Sequence, residues 1–213
     1  MRKIIKNLCM MGVLVLVAMP LVFARDKMDV IKIDKGDLFE SRGDPVPTVS
    51  LSKEHAAKGC MFSNKVEVLA PAEGNKEGGS LKYKLTARKD WSEYDVLKFS
   101  IFNPSDKPIT CSFMIGDKEA VDNWKYGNYY EKAWTIQPGM MEYEIDIVGL
   151  SARHGRAMNT KDIAIVIMYN LQPAPCEFYI SSVHLAKEGD DSTDKKETKK
   201  EDKKEEPKKK DKK

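Results

Sequence analysis

The chain has 213 residues, of which 41% are hydrophobic, 8% aromatic and 32% charged, with a formal net charge of +3. That apolar content supports a folded core and excludes a fully disordered or collagen-like chain. The positive surplus sits at the N-terminus: Arg2, Lys3 and Lys6 precede an apolar run, Leu8–Val17, and the small-residue site Val22-Phe23-Ala24. This order describes a secretory signal peptide over residues 1–24. The run is short of the about 20 residues needed to span a bilayer. Cleavage is therefore expected, with no transmembrane segment after it and a periplasmic, cell-surface or extracellular destination. Cys9 precedes most of the apolar run, which argues against lipid attachment there. Removing the segment takes three of the 36 basic residues and none of the acidic ones, leaving 33 of each. A balanced chain lacks the concentrated basic surface that nucleic-acid binding needs.

Three cysteines remain, Cys60, Cys111 and Cys176. An odd number allows one disulfide with a thiol left over, or three small buried side chains. Their spacing suits no zinc motif.

The elements are short and β-like throughout. Residues 25–36 form an N-terminal extension or a first edge strand around Val30, Ile31 and Ile33. Asp37–Glu40 follows, then the turn-rich Gly43–Pro47. Ser50–Ala56 reads as polar and irregular, ending at Gly59. Val66 and Val68 mark a strand, Ala70–Gly79 a glycine-containing loop, and Ser80–Thr86 an alternating strand.

The stretch Trp91–Pro104 is the centre of the chain. Leu97, Phe99 and Ile101 point one way and Lys98 and Ser100 the other, a strand covered on one face. Asn103-Pro104 stops it, since proline cannot donate to a ladder. Trp91 is expected in the core.

Further on, Cys111, Phe113 and Ile115 share one face of a strand. Ala133–Gln137 is a strand with Trp134 in the core, stopped by Pro138-Gly139. Met141, Tyr143, Ile145 and Ile147 alternate with Glu142, Glu144 and Asp146. Gly149–Asn159 is a loop or a single helical turn. Ile163–Met168 is apolar at every position and predicts a strand covered on both faces. Phe178–Leu185 closes the domain.

Nine or ten short strands without a long amphipathic helix predict an all-β, two-sheet antiparallel β-sandwich. It spans residues 37–186. Residues 187–213 hold twelve lysines and ten acidic residues in 27 positions and no aliphatic or aromatic one, which predicts disorder. Such a tail is a solubilising segment or a tether to a charged partner.

No nucleophile elbow, HExxH motif or phosphate-binding glycine loop is present. His55, His154 and His184 are scattered and read as surface or loop histidines. The chain is therefore expected not to be an enzyme, and no catalytic residue is assigned.

The distinctive segment is Asp122–Trp134. Trp and Tyr rings stack on the apolar C–H faces of sugars, while carboxylates, amides and guanidinium groups bond the hydroxyls. Asp122, Trp124, Tyr126, Asn128, Tyr129 and Tyr130 have that chemistry, and Arg156 adds a guanidinium. For Trp124 and Tyr126 a place in the core and a place at a ligand remain equal alternatives.

The order of several short motifs resembles galactose-binding-like jelly-roll domains, similar to the carbohydrate-binding modules of secreted glycosidases. The residues concerned are Leu38-Phe39-Glu40, Leu51–Gly59, Trp91 with Tyr94–Leu97, Phe102-Asn103-Pro104, Ile136–Gly139, Arg156–Asn159 with Asp162-Ile163, and Phe178–Val183. The resemblance implies a jelly roll that binds a polysaccharide or other glycan through loops or a concave face. It also implies a structural calcium in many members, for which Glu40 matches an early acidic ligand; Ser181 stands where an aspartate is common. The alternative to a glycan is a protein partner, with the domain acting as an envelope adaptor. A polysaccharide-active enzyme is the third reading.

Overall fold

The computed structural model describes residues 27–188 apart from 32, 35–38, 44, 72, 74–78, 84 and 86–89. The expected signal peptide and nearly all of the charged tail lie outside the described residues, as does most of the Ala70–Gly79 loop.

Eleven strands and one short helix are described: β1 (Lys27–Ile31), β2 (Phe39–Arg42), β3 (Thr48–Ser52), β4 (Ser63–Val68), β5 (Ser80–Tyr83), β6 (Val96–Asn103), β7 (Ile109–Asp117), α1 (Lys118–Asp122), β8 (Tyr130–Ile136), β9 (Gly139–Asp146), β10 (Ile163–Gln172) and β11 (Cys176–Ala186). They form two antiparallel sheets. One runs β3-β4-β11-β6-β9, with β1 joining the C-terminal half of β11. The other runs β2-β5-β10-β7-β8. The two-sheet antiparallel sandwich expected from the sequence is the fold.

Alternation builds it. On β6, Leu97, Phe99 and Ile101 face inward and pair with Leu185, Val183 and Ile180 of β11. On the opposite sheet, Phe113 and Ile115 of β7 pair with Met168 and Val166 of β10. The two inner faces meet at Phe99 and Phe113, whose rings lie 4.6 Å apart at 74°. Trp134 stacks on Phe113 at 5.3 Å. Each such side chain contributes about 1.5–3 kcal/mol by leaving water. Trp91 is fully buried, and its amide donates to the Thr160 carbonyl at 2.8 Å.

The stop after β6 has a visible mechanism. Asn103 is buried; its Nδ2 donates to the carbonyls of Lys107 and Ile136, and its Oδ1 accepts from the amide and hydroxyl of Ser105. One side chain thus closes the turn before Pro104 can be asked for a donor it lacks.

Two expectations change, and one open alternative is decided. Thr48–Ser52 is a strand, although Ser50 onward read as irregular. Val49 and Leu51 supply the alternate residues of an edge strand, and β4 supplies the ladder partners. Gly149–Asn159 contains no helical turn; it is a loop pinched by a Ser151–Ala157 bridge. His184 is not a surface histidine but lies buried on β11. Of the cysteines, Cys111 is buried and Cys60 and Cys176 are half-buried, and all three are free thiols.

Two core side chains are poorly matched to their surroundings. Among the described residues, the Asn64 side chain and the Tyr83 hydroxyl are buried without a hydrogen-bond partner. Burial, with the nearby Cys111 thiol second, pushes the Tyr83 phenol far above its ordinary pKa. Replacing an orphaned polar atom by hydrogen removes a desolvation penalty of about 1 kcal/mol. Tyr83→Phe is therefore expected to raise the melting temperature by about 2–4 °C, while keeping the edge-to-face contact with Phe39. A thermal melt showing destabilisation would refute the assignment.

Candidate functional site

The outer face of the five-stranded sheet carries an apolar patch around β10. On β10, Val166 and Met168 point into the core, while Ile165, Ile167 and Tyr169 point outward. The sequence predicted cover on both sides of this strand. The structure covers the outer side only in part: Ile165 is buried, but Ile167 and Tyr169 stay half-exposed. Gly116 of β7 permits the covered part, since a Cβ there would lie 2.7 Å from the Ile165 Cγ2. The cover is the β7–β8 connection, in which Ala120 of α1 and Tyr129 pack on Met114 beside Ile167 and Tyr169.

Asp117 holds this connection in place. It caps α1 by accepting from the Ala120 amide at 2.9 Å. It accepts from both terminal nitrogens of Arg156 at 2.8 and 2.9 Å, and from the Asn159 amide at 2.8 Å. Burial by itself would push this carboxyl up, but the Arg156 bonds and the two amides bring it down to about 2. Arg156 in turn donates Nε to Asn128 Oδ1, Nη2 to the Asn128 carbonyl and Nη1 to the Ala157 carbonyl. A planar guanidinium suits this multidentate role, which lysine could not fill.

Asp117 and Arg156 thereby fix an aromatic arm. Trp124 stacks on Tyr129, ring centroids 5.5 Å apart at 24°, and remains 55% exposed. Tyr126 is 69% exposed, with the Arg153 guanidinium 4.9 Å from its ring centroid. His154 Nε2 donates to the Tyr126 carbonyl at 2.8 Å and its amide donates to the Gly127 carbonyl at 3.1 Å. Gly127 has φ +85, and a Cβ there would lie 2.0 Å from His154 Nε2, so only glycine fits. Arg153 also pairs with Glu131, which accepts from the Tyr169 hydroxyl. Both branches of the arm, through Tyr129 and through Arg153–Glu131, converge on Tyr169.

The residues singled out from sequence therefore divide. Trp124 and Tyr126 present open rings. Tyr129 lies beneath Trp124 and is buried, and Asp122 sits on the exposed last turn of α1, paired with Lys118 at 2.6 Å. Arg156 and Asn128, expected at a ligand, spend their polar groups inside the protein. Tyr130 also departs from the expectation: its position opposite Ile115 on β8 turns it to the core. Strand alternation is the cause, because Tyr129 lies just before β8 and Tyr130 is its first residue.

Sequence reasoning missed Asp117, Glu131, Arg153 and Tyr169. For Asp117 the signal was present: an acidic N-cap two residues before Glu119, at the end of a strand. Glu131, Arg153 and Tyr169 come from separate segments and become neighbours only on folding.

Glu40 lies on the same outer face, at the far edge. It pairs with Arg42 and, at 3.7 Å, with Lys82. The Arg42 bond holds its carboxyl below the usual range. A carboxylate placed between two cations does not fit the oxygen-rich, anionic shell calcium requires. Among the described residues no group of three or more His, Cys, Asp or Glu side chains converges as a metal site.

Two measurements check this construction. The Asp117 carboxyl is depressed in the folded protein, so its contribution is complete above the ordinary carboxylate pKa. It is lost as pH falls from about 4 through about 2, roughly 2 kcal/mol in all. Denaturant melts should show that loss in the parent protein and its absence in Asp117→Asn, which should be destabilised at neutral pH by about 2–3 kcal/mol. Gly127→Ala should displace the arm, read as a change in Trp124 fluorescence at unchanged core CD; an unaltered emission spectrum would contradict the Gly127–His154 fit.

No family model and no curated protein sequence matches the chain. Solved structures do match in fold. A family 11 carbohydrate-binding module from Clostridium thermocellum, solved in complex with a β-1,3-1,4-mixed-linked tetrasaccharide, superposes with TM-score 0.57 at 14% identity over 76% of this chain and 95% of that one. The family 11 module of the cellulosomal cellulase Lic26A-Cel5E of the same organism gives TM-score 0.52 at 13% identity, over 76% and 94%. Part of an exo-β-agarase gives TM-score 0.55 at 13% identity, over 75% of this chain and 24% of that one. At these identities the likeness is one of fold: a two-sheet antiparallel β-sandwich like those of the matched modules.

Proposed function

We propose that the domain is an exported, non-catalytic module that holds a carbohydrate chain on the outer face of its five-stranded sheet. The carrying observation is that Trp124 and Tyr126 stay open to solvent while the backbone beneath them is fixed by Asp117, Arg156 and His154. Large aromatic rings normally contribute by burial, and rings held rigidly outside the core are platforms for a flat apolar ligand face. Ile167 and Tyr169 continue the apolar strip across the sheet, and Glu131 and Arg153 supply polar groups beside it. A mainly apolar surface with a few placed polar groups is the usual make-up of a ligand site. The fold and the oligosaccharide bound to the family 11 module support the choice of a glycan.

The first ligand to try is soluble mixed-linked β-1,3-1,4-glucan, with agarose beside it, by affinity electrophoresis and calorimetry. Trp124→Ala and Tyr126→Ala should each weaken binding at least tenfold, the loss typical of a central aromatic contact. Neither should lower the melting temperature by more than about 2 °C, since both side chains are exposed. Binding unchanged by both substitutions, or no binding to any polysaccharide, would overturn the proposal and favour a protein partner.

A further inference from the structure

The opposite face of the sandwich carries a cavity that the aromatic face does not explain. It has a volume of about 410 Å³ and lies over the outer side of the six-stranded sheet. Its floor is polar: Ser100, Ser182, His184 and Glu142 all face outward on neighbouring strands, in register as Ser182–Ser100–Glu142. Ser182 Oγ and His184 Nδ1 lie 2.7 Å apart. Met140 forms an apolar wall, and Ala57 and Cys60 form a roof.

The roof belongs to the segment joining β3 and β4, and it is clamped down. The His55 ring stacks on Phe102 at 3.8 Å and 14°, and meets Tyr179 edge-on at 4.7 Å. The Ser63 hydroxyl donates to the Glu54 carbonyl at 2.5 Å, and the Cys60 amide donates to the Ala57 carbonyl at 2.9 Å. The cavity is therefore a half-open pocket beside a fixed connection rather than a gap under a loose loop. Such a volume lies in the range of small-ligand sites, which begin at about 300 Å³.

Charge sorts the ligand classes. Lys27 and Lys58 stand at the rim and Lys98 beneath it. Against them stand Asp29, opposite His184 on β1, with Glu142 and Glu144 on β9. Lys98 Nζ lies 3.6 Å from Glu142 and 3.0 Å from Glu144. The lining itself holds Lys27 and Lys58 against Glu142, and only with the bordering Lys98, Asp29 and Glu144 does the neighbourhood reach three cations and three carboxylates, so no strong net field selects an ion. Paired hydroxyls, an imidazole and a carboxylate beside a thioether are instead groups that accept and donate to several hydroxyls while covering one C–H face.

We propose that this pocket is a second ligand site, for one neutral, hydroxyl-rich molecule of one or two sugar rings. It stands on its own geometry and not on the aromatic face, and the two faces can fail separately.

The test is amide NMR of the ¹⁵N-labelled mature chain titrated with glucose, galactose, mannose and cellobiose up to 100 mM, with glucuronate and glucosamine as charged arms. A neutral sugar should shift the amides of Cys60, Ser100, Ser182 and His184 saturably. The shifts should persist in the Trp124→Ala, Tyr126→Ala double variant, which removes only the opposite face. Ser182→Leu, which fills the floor, should abolish them. Met140→Ala, at an exposed edge position that the fold tolerates, should weaken them at least threefold. No saturable shift with any neutral sugar, tighter binding of either charged arm, or shifts unaffected by both substitutions would each overturn the proposal.

Discussion

The Asp117–Arg156 pair is the interaction on which the outer architecture depends. β7 ends at Asp117, and a strand end normally leaves its following loop free to wander. Here one carboxylate satisfies the first turn of a helix, the Asn159 amide and a guanidinium together. The guanidinium then reaches both the side chain and the backbone of Asn128. Two loops distant in sequence are thus locked to one point. A partly buried ion pair is costly unless its remaining donors and acceptors are met, and here the surrounding backbone meets them.

That lock explains how exposed rings can be ordered. Trp124 and Tyr126 would lose rotamer and backbone freedom on binding if they sat on a loose loop, and that loss would offset the stacking they gain. Fixing the backbone in advance removes most of that cost. Gly127 contributes by allowing His154 to approach closely, at a φ that side chains with a Cβ avoid. The proposed site is therefore a property of hydrogen bonds beneath it as much as of the aromatic surface above.

The two outer faces of the sandwich are built differently. The five-stranded sheet shows an open apolar strip flanked by rings, a shape suited to a long chain lying across it. The six-stranded sheet shows polar residues beside the fixed β3–β4 connection, forming a half-open pocket of small-ligand size. Both use the same device: strands whose inner residues fill a common core leave their outer residues at liberty to vary. Lys98 and His184 are buried on that outer side, Lys98 against Glu142 and Glu144 and His184 against Ser182.

What the sequence determined by itself was the pattern of alternation and its interruptions. Leu97, Phe99 and Ile101 against Lys98 and Ser100 specify a one-sided strand whatever they pair with, because successive side chains point to opposite faces. Asn103-Pro104 and Pro138-Gly139 end strands through local backbone chemistry alone. The core places of Trp91 and Trp134, and the sandwich class itself, follow from such local rules. Tertiary structure decided what local rules leave open. Whether Ile167 met a second layer or water depended on how far α1 and Tyr129 reach over β10. Whether Arg156 met a ligand or Asp117 depended on two loops arriving at the same place. Tyr129 and Tyr130 are adjacent in the chain, yet one supports the aromatic arm and the other fills the core. The start of β8 between them sets that division, and its register against β7 is fixed only by long-range pairing.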